Sequence, residues 1–543
     1  MHREESKPPS SSEDAEKKVA DSHPSEDVEL PSTLLAGRKL GIVFSAFVLA
    51  IFLTYIDQTI ISTALPTIAS HFDAVSDLSW IAGGYFLPQT AFILLIGKIL
   101  SISPAKPVLL VSIALFEIGS LISAVANSVQ LLIFGRVVAG VGGAGLWVSV
   151  LSIMAHITTI TQRPILMSIM GAVYAISAIG GPLLGGVFSD KVTWRWCFYL
   201  NLPVGGLAFV IILLVLPSIP APEDASTVTS TTLQRWMRLD WTGSFLSICM
   251  TTMLELALQW GGNTKTWSDP AVIATLSLFG VFLISFIAWE LYREEDAILP
   301  PQLFRNMSMV GACIEGFMIS MCFVLASYYF PFLYQIRGHS AARSGIDILP
   351  FMISGIISCL GAGGAVTALG APWPFLFIFP PIGAISFGLL TTVTNNTPSA
   401  RILGYQILAG VGLGPAIQTV VVVVQVAFAG EKKYISQATA TITFMQVLGS
   451  SVGLAASQAI FSARLRTEID HSGVVLSPDL RALVLSNIKA VFQLEDSTRL
   501  AILRAYNVGV TQIFWLGLSA CAAAVLASLL VSRKRVQPGS LTM

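Results

Sequence analysis

The run GIVFSAFVLAIFLTYIDQTIISTALPTIA, Gly41–Ala69, is mostly apolar and carries one formal charge, Asp57. A helix needs about 20 apolar residues to cross a bilayer, so this run reads as a membrane span. A carboxylate inside such a span is costly, and by default it marks a functional site. Two more features follow before Gly206. Arg136 lies in the apolar run that contains GRVVAGVGGAG, Gly135–Gly145, and small residues crowd SAIGGPLLGG, Ser177–Gly186. The remainder of the chain repeats or supports this arrangement.

Composition agrees with that reading. The 543 residues are 54% hydrophobic and 11% charged, with a mean hydropathy of +0.75. Soluble domains carry about 25% charged residues, so the chain is an all-α polytopic membrane protein. Its net charge of zero gives no nucleic-acid footprint. The six cysteines, Cys197, Cys249, Cys313, Cys322, Cys359 and Cys521, show no metal-ligand spacing and read as small packing residues.

Span length and flanking polarity divide the chain. Residues 1–40 are rich in Ser, Pro, Glu and Lys and read as a disordered cytosolic tail without a signal peptide. Residues 41–216 hold six spans, and 217–238 (PSIPAPEDASTVTSTTLQRWMR) form a polar linker. Two extra spans occupy 239–293, a polar connection 294–308, and six further spans 309–531, with a tail at 532–543. The polar segment 462–508, before the last span, reads as an extracytoplasmic helical loop. Lysine and arginine gather on the side of the two termini, at Lys39, Lys98, Lys106, Arg163 and Lys433, which puts both termini in the cytoplasm. The layout of six, two and six spans suggests a duplicated transporter with its site between the halves. No strong sequence repeat links the halves; the symmetry lies in hydropathy.

Asp57 lies about 15 Å below the outer end of its span, at 1.5 Å per residue. It can carry a proton as access alternates, or serve as a structural carboxylate bonded to nearby hydroxyls. Arg136 is followed at i+4 and i+7 by Gly140 and Gly143, a face that admits a close neighbour. It can tune a carboxylate or form a structural ion pair, and Asp57 is the partner to test. Ser177, Gly181 and Gly185 recur every four residues, with Pro182 to bend the helix. The first, fourth, ninth and twelfth spans would line a cavity for an amphipathic ligand. Glu315, Tyr328, Tyr329 and Gln335 then face it from the ninth, and Gln418 and Gln425 from the twelfth. Each glutamine reads equally as an interhelical hydrogen bond. Glu117 reads as structural and Glu255 has no assigned role. No Walker A sequence is present, so ATP is not the energy source.

These motifs carry a resemblance. IDQTIISTALPTIA (Ile56–Ala69), GRVVAGVGGAG, SAIGGPLLGG and VTWRWCFYLNLPVGG (Val192–Gly206) resemble the motifs of the fourteen-span drug:proton antiporters of the major facilitator superfamily. LALQWGG (Leu256–Gly262) and SGIDILP (Ser344–Pro350) look like the fungal multidrug and toxin efflux members. The resemblance implies the major facilitator fold, two six-helix bundles plus two central spans. It implies proton coupling at Asp57 and Arg136 and an antiport-type bend at Gly181, Pro182, Gly185 and Gly186. One segment departs. The superfamily's second-to-third-span loop carries an aspartate and arginines, whereas here GKILSISPAK, Gly97–Lys106, has Ser101, Ile102 and Ala105 in their places. The usual charged latch between halves is weakened or replaced.

The expected function is therefore proton-driven efflux of amphipathic small molecules, a fungal secondary metabolite, toxin or drug, by alternating access. No enzyme activity and no cofactor are expected, the proton gradient supplying the energy, and a single chain holding both halves suffices as a monomer. The expected site is the cell membrane, with the vacuolar membrane as the alternative. The rival readings are a proton-coupled importer of a nutrient or siderophore, and a membrane sensor that binds without transport.

Overall fold

A computed structural model describes residues 34–72, 78–219, 236, 239–262, 265–474, 477–486 and 488–533. Lipid offers no hydrogen-bond partners, so each spanning segment must satisfy its own backbone, which selects helices. Among the described residues, fourteen helices are long and apolar enough to cross a membrane. The helices of these spans are α1 (Gly37–Phe72), α2 (Leu78–Ile102), α3 (Ala105–Ala124), α4 (Val129–Ile157), α5 (Arg163–Lys191), α6 (Asn201–Val215, the main part of the span Trp196–Val215), α7 (Trp241–Trp260), α8 (Pro270–Arg293), α9 (Met307–Ile336), α10 (Leu349–Leu369), α11 (Trp373–Leu390), α12 (Ser399–Ala427), α13 (Lys432–His471) and α14 (Asp496–Ser528). A short helical turn, Trp196–Tyr199, leads into α6.

Local sequence sets several helix ends. Asp269 caps α8 by accepting from the Ala271 N–H at 2.8 Å, with Pro270 at the first helical position. Ser128 caps α4 and Asn306 caps α9 in the same way. Gly370 ends α10 at φ 65°, a left-handed conformation that glycine adopts without a Cβ clash. Basic side chains close other ends. Lys106 donates to the carbonyls of Leu213 and Leu216 at the end of α6, and Arg163 to those of Ala155 and Thr158 at the end of α4.

α1–α6 form one bundle and α9–α14 the other, while α7 and α8 pair and α7 lies on α2 and α13. A sequence repeat that was not apparent from hydropathy emerges here. Ala139-Gly-Val-Gly142 in α4 recurs as Ala409-Gly-Val-Gly412 in α12. Gly140 faces the Tyr85 carbonyl of α2, as Gly410 faces the Phe351 carbonyl of α10. Gly142 abuts the Phe116 amide of α3, as Gly412 abuts the Gly383 amide of α11. Two glycines that admit close backbones are retained where two helices cross the same way in both bundles.

The bundles meet at the end that carries Lys98, Lys106 and Arg163. Gly97 of α2 faces Ala440 of α13, and Gly363 of α10 faces Ser168 of α5. The hydroxyls of Ser152 and Ser436 lie 2.7 Å apart, and Gln425 donates to the Leu151 carbonyl at 3.2 Å. Within the bundles, α1 packs on α5 and α6, and α9 on α12, α13 and α14. The molecule is thus sealed at its basic end.

Of the polar segment 462–508, residues up to His471 continue α13, Pro478–Ser486 forms a separate helix, and α14 begins at Asp496. The 40 residues of α13 span roughly 60 Å, about twice the hydrocarbon thickness, so this helix projects well beyond lipid. The linker 217–238 lies largely outside the described residues, and residues 1–33 and 534–543 lie outside them entirely.

Candidate functional site

Asp57 and Arg136 are brought together. The Arg136 Nη1 donates to Asp57 Oδ2 at 2.5 Å, and the side chains are 0% and 1% exposed. Asn201, the first residue of α6, donates from Nδ2 to Asp57 Oδ1 at 3.1 Å and to Ser120 Oγ at 3.0 Å. The guanidinium lies over the Tyr85 ring, 4.5 Å from its centroid, and 5.9 Å from that of Phe198. Five helices, α1 to α4 and α6, therefore converge on one carboxylate. Charges taken from water are tolerable only when paired and hydrogen-bonded, and both conditions are met here. The roles of Asn201 and Ser120 escaped the sequence reading, although Asn201 sits in the quoted LNLPVGG. An isolated amide at a span's start has no distinguishing signal until its partner is known.

The small-residue stripe packs on the helix that carries Asp57. A Cβ at Gly181 would overlap Thr59 Oγ1 and lie 2.9 Å from the Ile60 amide, and one at Gly185 would overlap the Ile60 carbonyl. Close approach lets Thr59 donate to the Ser177 carbonyl at 2.9 Å and Thr63 to the Pro182 carbonyl at 3.1 Å. Pro182 stands inside α5. Gly186 differs: nothing lies within 4 Å of its Cβ position, so it takes no part in this seam.

The six expected cavity residues separate. Tyr328 is 58% exposed and neighbours the Tyr174 hydroxyl of the other bundle, and Gln335 is half-buried. Tyr329 is buried and donates to Gln458 at 3.2 Å. Gln418 is buried beside Gly171, and Gln425 belongs to the sealed basic end. Glu315 is 0% exposed, inside the second bundle, and does not line an open cavity. Helical spacing assigns residues to a helix but not to the cavity side of a curved bundle, which is why four of the six are packed away. Aromatic rings cross between the bundles instead. Trp147 meets Tyr55 at 5.4 Å, Tyr55 meets Tyr174 at 4.7 Å, and Tyr174 meets Phe323 at 5.4 Å.

Among the described residues, the second bundle has no buried counterpart of this ion pair. The repeat puts Gln406 in the position of Arg136. Gln406 is fully buried, and neither atom of its amide has a hydrogen-bond partner. Replacing an unsatisfied buried polar group by an apolar one of similar shape is neutral or stabilising. Gln406→Leu is expected to keep or raise the Tm, by up to about 1–3 kcal/mol of stability, measured by thermal unfolding in detergent.

The altered Gly97–Lys106 loop lies beside charged groups of the extra helix pair. Buried Lys98 lies in the field of three carboxylates, Asp240, Glu290 and Asp296, and of one cation, Arg293, from the extra pair and its connection. Asp240 caps α7 and accepts from Trp289 Nε1 at 2.8 Å, while Glu290 accepts from the Leu299 amide at 2.7 Å. Gln437 of α13 donates to the carbonyls of Ala297 and Ile298, at 3.2 and 3.1 Å, and Lys433 pairs with Glu295 at 3.3 Å. Residues 295–299 thus tie the extra pair to the second bundle at the basic end. Among the described residues, no cluster of three His, Cys, Asp or Glu is suited to a metal.

Residues 47–454 match the family model for the Major Facilitator Superfamily. The chain belongs to the major facilitator superfamily. Within it, the chain is 36% identical to the MFS-type transporter astH of Aspergillus oryzae, over 90% of this chain and 85% of that one. It is 34% identical to the rubrofusarin-specific efflux pump aurT of Gibberella zeae, over 92% and 91%. It is 32% identical to the MFS-type efflux pump MFS1 of Trichophyton rubrum, over 95% and 96%. Two solved structures share the fold: the human organic anion transporter MFSD10, with a TM-score of 0.58 at 13% identity over 92% of this chain and all of that one, and the proton:xylose symporter XylE, with 0.55 at 14% over 90% and 94%. The superfamily's two-bundle plan, with a helix pair added between the bundles, is the architecture found here. The protein is a multi-pass membrane protein.

Proposed function

We propose that this chain is a proton-driven efflux transporter that exports amphipathic small molecules by alternating access. The observation that carries this reading is the Asp57–Arg136 pair, sealed in the first bundle with no buried counterpart among the described residues of the second. A charged pair that a membrane protein buries in one half only is poorly explained by stability, since hydrophobic residues replace such pairs without loss. It is well explained as a coupling centre that exchanges protons. Relatives named as efflux pumps at 32–34% identity support the outward direction. The aromatic rings from Trp147 to Phe323 suit an apolar cargo with flat faces, such as a fungal secondary metabolite, toxin or drug. On this reading the basic end faces the cytoplasm, the chain acts as a monomer in the cell membrane or the vacuolar membrane, and the structure is the cargo-releasing state. Residues 295–299 and α13 take over the latch that GKILSISPAK lacks.

The test is flux in sealed vesicles under an imposed pH gradient, with a panel of amphipathic compounds. Cargo moving against the proton flow supports antiport. Cargo moving with it makes the protein an importer, and the absence of gradient-dependent movement favours a sensor. Locking the basic end gives an independent check. The disulfide between Ser152→Cys and Ser436→Cys, whose parent hydroxyls are 2.7 Å apart, should form on oxidation and stop transport. A reductant should restore it, as followed by flux in the same vesicles.

A further inference from the structure

The coupling centre contains a second carboxyl. Glu117 lies on α3, one turn before Ser120, and both its oxygens are buried without a hydrogen-bond partner. The carboxyl rests on the α6 backbone at Gly205, where any Cβ would overlap Oε1. It is close enough to Asp57 for the two charges to repel. The other titratable or charged groups of the centre, Tyr85 of α2, Arg136 of α4 and Cys197 of the turn before α6, lie against Asp57. α6 itself offers only the Asn201 amide.

The two carboxyls are not equivalent. Asp57 has a donor on each oxygen, Arg136 on one and Asn201 on the other, and the guanidinium balances its charge. Glu117 has no donor and no counter-charge of its own. Two neighbouring carboxyls in apolar surroundings, with the one guanidinium paired to Asp57, cannot both stay ionised, and the proton goes to the one without partners. We propose that Glu117 is the group that takes up and releases the transported proton, while Asp57 stays ionised as the fixed counter-ion of Arg136. The inference rests on the proton-coupled reading above and names the proton's seat within it.

Release of that proton has a structural consequence. The bare Glu117 carboxylate needs a donor, and one already engaged in this centre is the Asn201 amide, which bridges Asp57 of α1 and Ser120 of α3. Drawing Asn201 away loosens α6 from α1, the helix on which Gly181 and Gly185 of α5 also pack. Loss of one proton thereby changes which contacts hold α1, and so biases the equilibrium between the two states.

Carbodiimide labelling of the full chain in detergent tests the assignment. N,N′-dicyclohexylcarbodiimide reacts with a protonated carboxyl in apolar surroundings, and peptide mass spectrometry reads the site. Label on Glu117, declining as pH rises, with Asp57 unlabelled, is the expected result. Label on Asp57 with Glu117 unmodified overturns the proposal. In vesicles, with rhodamine 6G as the probe, Glu117→Gln should lose gradient-driven accumulation while eluting as a single folded species. Glu117→Asp should restore accumulation with a displaced pH profile. If wild type accumulates the probe and Glu117→Gln does so equally, Glu117 is not the carrier. If wild type itself shows no gradient-driven movement, the proton-coupled reading fails and this inference with it, whichever carboxyl is labelled.

Discussion

Replacing Asp57 with Asn is expected to reduce gradient-driven flux to the level of empty vesicles. Asparagine keeps an acceptor for Arg136 but not the charge that balances it. Removing one partner of a buried pair costs about 3–5 kcal/mol, because the remaining charge is left uncompensated. The single substitution should therefore lower both the Tm and the flux. The double substitution Asp57→Asn with Arg136→Gln separates the two effects. It removes both charges, so stability should return to within about 1–2 kcal/mol of wild type, a coupling that a double-mutant cycle measures directly. Flux should not return, since the counter-charge that decides where the proton sits is gone. Recovery of flux in the double variant would show that the pair is structural.

Within the small-residue stripe, neighbouring glycines should behave in opposite ways. Gly181→Leu puts a side chain onto Thr59 and the Ile60 amide, where no space exists. Overpacking of this kind costs about 1–3 kcal/mol, and the lost Thr59-to-Ser177 bond adds about 1 kcal/mol. α1 is displaced from α5, and with it Asp57, so transport should fall to background and the Tm should drop. Gly186→Ala meets nothing within 4 Å. Alanine exceeds glycine in helix propensity by about 1 kcal/mol, so transport should persist and the Tm should hold or rise. Flux and thermal unfolding on the two variants check this. Equal loss at both positions would mean that the stripe acts through flexibility rather than through the α1–α5 seam.

Asp57 and Arg136 were visible in the sequence because each is a lone charge in an apolar run, an energetic anomaly that needs no coordinates. The Gly181 and Gly185 spacing was visible because period-four small residues imply a close helix. Glu117 was as anomalous as Asp57 and yet read as structural. Its significance depends on having no partner, a property of α1, α4 and α6 rather than of α3. Gly186 belongs to the same run as Gly185 but faces away, and one residue around a helix is enough to change its neighbour.

The chain by itself determined that lipid surrounds fourteen helices, since apolar length and the need to satisfy every backbone amide leave no other fold for such segments. It also determined that the first bundle carries the charged centre. Tertiary structure decided which residues meet. It placed Glu315, Gln418, Gln425 and Tyr329 in packed interfaces, matched Gln406 to Arg136, and put residues 295–299 beside the altered loop. Hydropathy measures the transfer of each residue into an apolar phase, and protein interior and lipid are alike by that measure. Only the crossing of helices far apart in sequence distinguishes a side chain that faces lipid from one that faces a cavity, a seam or a partner charge.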